Sequence, residues 1–190
     1  MYFEKLEPIL SDLESKEVEI AGGSMVGMTL SMVNSLIIYI TNLTIGKKNY
    51  EAVQDKVIEI QKNAIENKKK ALEIIDKDKE VLEKILLAYK NRKNEPAKYQ
   101  ETCKNATDFC MEVVNLAIDT IKLSNEIAES GNKMLSSDFK ICQYYATASL
   151  HSAIENVKIN VNSIDDTEFK TTINNKCEKY FKNITKFDFT

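Results

Sequence analysis

Glycine and proline are scarce: five and two among 190 residues. With so few breakers and turn formers, a many-stranded β protein is excluded and long helices are favoured. Arginine is nearly absent; Arg92 stands alone among the basic residues, the rest being lysine. With a net charge of -3, neither the electrostatic footprint nor the bidentate side chains of a nucleic-acid binder are in place. Histidine occurs once, as His151, far in sequence from the cysteines Cys103, Cys110, Cys142 and Cys177, which form no C-x-x-C pair. No metal site is expected from that pattern, and the cysteines read as free thiols of a reducing cytoplasm. Residues 1–20 are acidic rather than basic-then-apolar, so no secretory segment is expected and the location implied is cytoplasmic.

Hydrophobic residues make up 43% of the chain and charged residues 29%, the balance of a globular protein that buries a core. One domain spanning 1–190 is expected. Residues 20–46 carry no formal charge, long enough to resemble a membrane span. The stretch also holds Ser24, Thr29, Ser31, Asn34, Ser35, Thr41, Asn42 and Thr44. So many hydroxyls and amides suit the fully buried central helix of a bundle better than a lipid-facing span, and no membrane partner is expected.

The expected architecture is an all-α bundle of five to six helices. The first runs over about 8–15, opened by Pro8; a loop at 18–21 follows. Gly22-Gly23-Ser24 opens the second, which ends near residue 43, with Gly46 breaking the turn after it. A long amphipathic helix covers about 50–89, with Val53, Val57, Ile60 and Ala64 at helical spacing. The fourth covers about 97–130, with Phe109, Val113, Ala117 and Ile121 inward, and Gly131-Asn132 ends it. The fifth covers about 137–163, and the sixth about 167–187 behind an acidic Asp165-Asp166-Thr167 start.

Two helices carry polar stripes. Ser24, Ser31, Ser35 and Asn42 lie within an arc of roughly 40° on the second helix. On the fifth, Asp138, Cys142, Tyr145, Ser149, Ser152, Asn156, Asn160 and Ser163 recur at three- and four-residue steps. Small polar residues permit close helix packing and back-bond to their own helix. Buried amides such as Asn156 and Asn160 need partners, because an unpaired one costs about 1–3 kcal/mol. The two amides satisfy each other, or they hold a polar ligand in a cleft between these helices or between two subunits. At Gly22-Gly23-Ser24 the choice lies between Ser24 as an ordinary N-cap and exposed N–H groups that a ligand can approach closely.

An ordered set of motifs carries a resemblance. Ala21-Gly22-Gly23-Ser24 is followed at the right separation by Asn42-Leu43-Thr44-Ile45-Gly46-Lys47-Lys48. Then come Ile75-Asp76-Lys77-Asp78, Ala88-Tyr89-Lys90, Gly131-Asn132, Ser137-Asp138 and Asn156-Val157-Lys158-Ile159-Asn160. In this order they resemble the formiminotransferase-cyclodeaminase family, in particular its stand-alone cyclodeaminase form and the related methenyltetrahydrofolate cyclohydrolases. Val18, Ile20 and Ala21 replace two prolines and a glycine of the family's pattern. Lys79-Glu80-Val81-Leu82 and Lys140-Ile141-Cys142 replace smaller residues. Ala21 makes a left-handed backbone there costly, which implies a reshaped loop.

The resemblance implies a dimerising helical bundle with its site by the subunit interface. It also implies a tetrahydrofolate derivative as substrate and no metal. The implied reaction is either closure of 5-formiminotetrahydrofolate to 5,10-methenyltetrahydrofolate with release of ammonia, or hydration of the methenyl form. Asp78 aligns with the family's catalytic aspartate, and Asp138 is the second candidate. Gly22, Gly23, Ser24, Asn42, Gly46, Lys47, Asn156 and Asn160 are the residues implied in folate binding. The alternative is a folate-binding or purely structural bundle of the same fold without catalysis.

Overall fold

The computed structural model describes residues 2–16 and 20–184; Val18 of the loop before the second helix lies outside them. Six α-helices run in order: α1 Tyr2–Glu14, α2 Gly22–Asn42, α3 Gln54–Asn91, α4 Pro96–Ser130, α5 Ser136–Asn162 and α6 Thr167–Ile184. Helix α1 starts before Pro8, which lies inside it; its ring removes one backbone donor from the helix. A 3-10 turn, Lys48–Val53, precedes α3 and contains Tyr50 in a non-helical conformation. The long helix therefore begins four residues later than its apolar periodicity suggests. The sixth was expected to reach 187, but residues 185–187 lie outside the described ones.

The core forms where α2 packs into α3, α4 and α5. Val26, Leu30, Val33, Ile37 and Ile40 recur at three- and four-residue steps on α2, and all are buried. They meet Val57, Ile60, Ala64 and Ala71 of α3, Val114, Ala117 and Ile121 of α4, and Ala146, Leu150 and Val157 of α5. Burying each large aliphatic side chain stabilises the fold by about 1.5–3 kcal/mol. Gly27 lets α2 approach α3 closely, since a Cβ there would stand 2.9 Å from the Ala71 carbonyl oxygen. Helix α2 is not fully buried, however. Met25, Met32 and Tyr39 are 56%, 62% and 50% exposed. Three neighbouring helices cannot surround a fourth, and this side remains open.

Lengths differ in a way that builds the site. Helices α3 and α4 have 38 and 35 residues against 21 for α2. At 1.5 Å per residue, α2 spans about 31 Å. Asp78 of α3 meets the first turn of α2, so the 13 residues from there to Asn91 overhang α2 by roughly 20 Å. No residue of α3 beyond Ile74 is buried.

The opposite end of α2 is tied down by side chains. The Asn132 backbone N–H donates to the Thr44 hydroxyl at 3.0 Å, and the Asn132 amide donates to the Leu43 carbonyl at 3.2 Å. The Thr44 hydroxyl in turn donates to the Ile40 carbonyl at 2.8 Å. Gly46 takes the left-handed φ of 75° that the turn requires. Thr44 and Asn132 are both buried. Thr44→Val keeps the shape but orphans the Asn132 N–H, which costs about 1–3 kcal/mol. Urea denaturation should show a lower midpoint with an unchanged slope. At the far end of the chain the Asp166 carboxylate accepts the Phe169 N–H at 3.0 Å and caps α6. Its hydrogen bond to Lys104, reinforced by the Phe169 amide, holds that carboxyl below the usual range.

Candidate functional site

At the first turn of α2 the N-cap is Ala21, which has no side chain to offer. Ser24 is the third helical residue, so it is not the cap. Asp78 supplies the missing acceptor from 54 residues away. Its Oδ2 accepts the Ser24 backbone N–H at 2.8 Å and lies 3.0 Å from the Ser24 hydroxyl. That hydroxyl is also 3.1 Å from the Ile75 carbonyl. Ser24 itself is fully buried. A carboxylate at a helix N-terminus is favoured by the unpaired N–H groups and the helix dipole.

Gly23 makes this approach possible. A Cβ there would come within 2.5 Å of the Asp78 Cγ and closer still to Oδ1. A helical glycine packed against a carboxylate is thus a steric requirement rather than a turn signal. Ala21 takes φ -132° and ψ -170°, extended backbone that any residue adopts. Its Cβ therefore causes no backbone strain in this loop. Asp76, two residues before Asp78, is exposed, as the roughly 200° between them on the helix demands.

A shallow pocket of about 180 Å³ opens at this point, between the α2 N-terminus, α3, α4 and α5. Gly22, Gly23 and Asp78 form one side, Asn156 and Asn160 another. Val81, Leu82, Ile85 and Ile159 make its apolar wall, and Cys110 its floor. The Asn160 amide donates to the Cys110 sulfur at 3.3 Å. Burial, with a smaller contribution from the nearby Asp78 charge, pushes the Cys110 thiol up to about 12, so it stays protonated and unreactive. Asn156 and Asn160 are half-buried rather than buried, and both line the pocket.

Much of the two polar stripes has a local explanation. The Ser31 and Ser35 hydroxyls donate to the Met28 and Ser31 carbonyls. Ser149 and Ser152 donate to Tyr145 and Ala148. These are back-bonds within a helix, not a polar cleft; only the Asn156–Asn160 end of the α5 stripe lines the pocket. Asn42 pairs with Gln61 at 2.6 Å, and Gly46 donates its N–H to Gln54 at 2.7 Å. Asn42, Gly46 and Lys47 stand at the C-terminal end of α2, and Asp138 in the first turn of α5 near the same end. A single chain therefore unites Gly22, Gly23, Ser24, Asp78, Asn156 and Asn160 and separates them from Asn42, Gly46, Lys47 and Asp138. Cys110, Val81, Ile85 and Ile159 escaped the sequence reading, because their alignment on one pocket depends on how α3, α4 and α5 cross.

The formiminotransferase-cyclodeaminase family model matches residues 5–179. The chain belongs to that family. It is 30% identical over 173 residues to a methenyltetrahydrofolate cyclohydrolase of Methylorubrum extorquens, covering 87% of this chain and 83% of the relative. Its fold matches the crystal structure of a formiminotetrahydrofolate cyclodeaminase from Thermotoga maritima with a TM-score of 0.89 and 26% identity. That match covers 95% of this chain and 89% of the other. The all-α architecture and the link to one-carbon folate chemistry thus rest on family membership as well as on motifs.

Proposed function

We propose that this family member is a methenyltetrahydrofolate cyclohydrolase whose general acid/base is Asp78. The observation that carries the reading is the Asp78 carboxylate. It is held on one oxygen by Ser24 at the rim of a pocket walled by apolar side chains and two amides. The relative at 30% identity carries the cyclohydrolase name, which favours hydration over deamination.

The chemistry needs one proton moved at each of two steps. Water attacks the carbon bridging N5 and N10 of the methenyl cation, and Asp78 takes the proton that the water loses. In the resulting tetrahedral adduct the C–N5 bond breaks and Asp78 returns a proton to N5. The hydroxyl of the adduct becomes the formyl carbonyl on N10, and its proton goes to solvent. One positioned carboxyl group suffices for both transfers. Ser24, by occupying Oδ2, leaves Oδ1 as the working oxygen. Asn156 and Asn160 are the groups that hold the pterin's polar edge, and Val81, Ile85 and Ile159 the surface its ring lies on.

The test is the fall of methenyl absorbance on adding the protein, without ammonia in the products. A second reading, cyclodeaminase, is supported by the Thermotoga maritima structure. It gives the opposite signal: methenyl absorbance rising from 5-formiminotetrahydrofolate, with ammonia released. A protein that only binds folate would change neither absorbance and still melt higher, since ligand at 100 times Kd stabilises by about 2.7 kcal/mol. Loss of the turnover reading and loss of the binding reading are therefore separate results.

A further inference from the structure

Helix α3 runs on past the Asp78 pocket. Asp78, Leu82, Ile85, Tyr89 and Arg92 follow one another at steps of four, three, four and three residues. At ~100° per residue they share one face of the helix, within an arc of roughly 80°. Asp78, Leu82 and Ile85 line the pocket, so Tyr89 and Arg92 continue its wall along the overhang. The guanidinium carbon of Arg92 lies 3.7 Å from the centre of the Tyr89 ring, and one of its nitrogens donates to the Tyr89 carbonyl at 2.6 Å. Tyr99 of α4 meets the Tyr89 ring edge-on, with 6.1 Å between centres, a preferred aromatic geometry that steadies the ring. Arg92 is half-buried, whereas Lys90 and Lys93 beside it are exposed.

Charge at this end is one-sided. Residues 84–94 hold Lys84, Lys90, Arg92 and Lys93 and no acid. The nearest acid in sequence, Glu95, pairs with Lys98 at 3.0 Å, and Arg92 pairs with no carboxylate among the described residues. Cations near a helix C-terminus answer the helix dipole, and the lysines need no further reason. The dipole does not account for the chain's single arginine lying on an aromatic ring with most of its donors unused. A planar fork of that kind suits a carboxylate, which it takes on two N–H groups at once.

We propose that Arg92, stacked on Tyr89, receives a carboxylate of the substrate's p-aminobenzoylglutamate tail, whose ring crosses Ile85 on the way. This rests on the folate reading of the pocket. The pterin lies across the pocket, from Asn156, Asn160 and Ile159 toward Val81, with its N10 side turned to Ile85. Tyr89 stands 11 residues beyond Asp78, about 16 Å along the helix, and aromatic side chains on a helix lean back toward its N-terminus. From N10 to the side-chain carboxylate, the extended tail measures on the order of 12 Å. The reach of the tail and the place of the guanidinium therefore agree.

A substrate without the glutamate isolates the contact. Methenyltetrahydropteroate carries its only tail carboxylate on the benzoyl ring, short of Arg92. Arg92→Ala should raise KM for methenyltetrahydrofolate about 10- to 100-fold, the contribution of a charge-assisted hydrogen bond, with kcat unchanged. It should bring no such rise for methenyltetrahydropteroate. Arg92→Lys keeps the charge without the fork and should fall between. Tyr89→Leu removes the ring beneath the guanidinium and should raise the folate KM severalfold, with Tyr89→Phe nearer the wild type. No rise in Arg92→Ala, or an equal rise on both substrates from a disturbed helix end, overturns the inference. If the wild type turns over neither compound, calorimetry with tetrahydrofolate and tetrahydropteroate reads the same contact. A preference for tetrahydrofolate that Arg92→Ala removes upholds the tail site while the reaction reading fails. Absence of that preference rejects the tail site, and turnover indifferent to Arg92 rejects it while the reaction reading stands.

Discussion

Asp78→Asn should lower turnover of methenyltetrahydrofolate by about 10²–10⁴-fold, the usual contribution of a general acid/base. The amide has nearly the shape of the carboxylate and keeps an oxygen for the Ser24 N–H, so the first turn of α2 remains capped. It cannot carry the proton. Folate affinity, read as KM or as a melting shift, should therefore change little while kcat collapses. Asp76→Asn is the control, because Asp76 is exposed on the far side of the helix and should cost almost nothing. Small, equal effects from the two substitutions would count against Asp78. Because Asn also weakens a charge-assisted hydrogen bond at the helix N-terminus, a modest drop in Tm accompanies the loss. It must be measured beside the kinetics so that unfolding is not mistaken for lost chemistry.

Gly23→Val should be the most damaging change at a position with no chemistry of its own. The added side chain occupies the space of the Asp78 carboxyl, and the carboxyl group must swing away. Two losses follow from one clash: the Ser24 N–H and hydroxyl lose their acceptor, and the acid/base leaves the pocket. Turnover should fall at least as far as in Asp78→Asn, and folate binding should fall with it, since the pocket wall itself moves. The uncapped buried donor costs about 1–3 kcal/mol, a few degrees of Tm in a chain of this size. Far-ultraviolet circular dichroism should stay helical. Gly23→Ala asks the same question with less bulk, because its Cβ alone reaches the Asp78 Cγ. Full activity in Gly23→Ala would show that α2 and α3 can separate at no cost. Ala21→Gly, by contrast, should leave turnover unchanged, since Ala21 already sits in extended backbone.

The helices were legible because their signals are local. Periodic apolar residues, Gly46 after α2, Gly131-Asn132 after α4 and Asp166 before α6 each act within a turn or two of themselves. Site legibility was partial for the same reason. Motif order pointed to Gly22, Gly23, Ser24 and Asp78, which the structure brings together, but it could not reveal that Asp78 caps α2 or that Gly23 is required by the carboxyl it touches. The stripes on α2 and α5 misled in part. A serine that back-bonds to its own helix and an amide that lines the pocket have the same periodicity.

By itself, the sequence determined an all-α chain with α2 at its centre, the family it belongs to, and the aspartate to test. Hydrophobic period and helix breakers are properties of the chain alone. Only the tertiary structure decided which polar residues meet. The overhang of α3 beyond α2 places Asp78 at a helix N-terminus, and the crossing of α5 places Asn156 and Asn160 beside it. The roughly 31 Å of α2 then separates that group from Asn42, Gly46 and Lys47. Helix length and crossing geometry set those distances, and they arise from packing many residues apart, which no local pattern encodes.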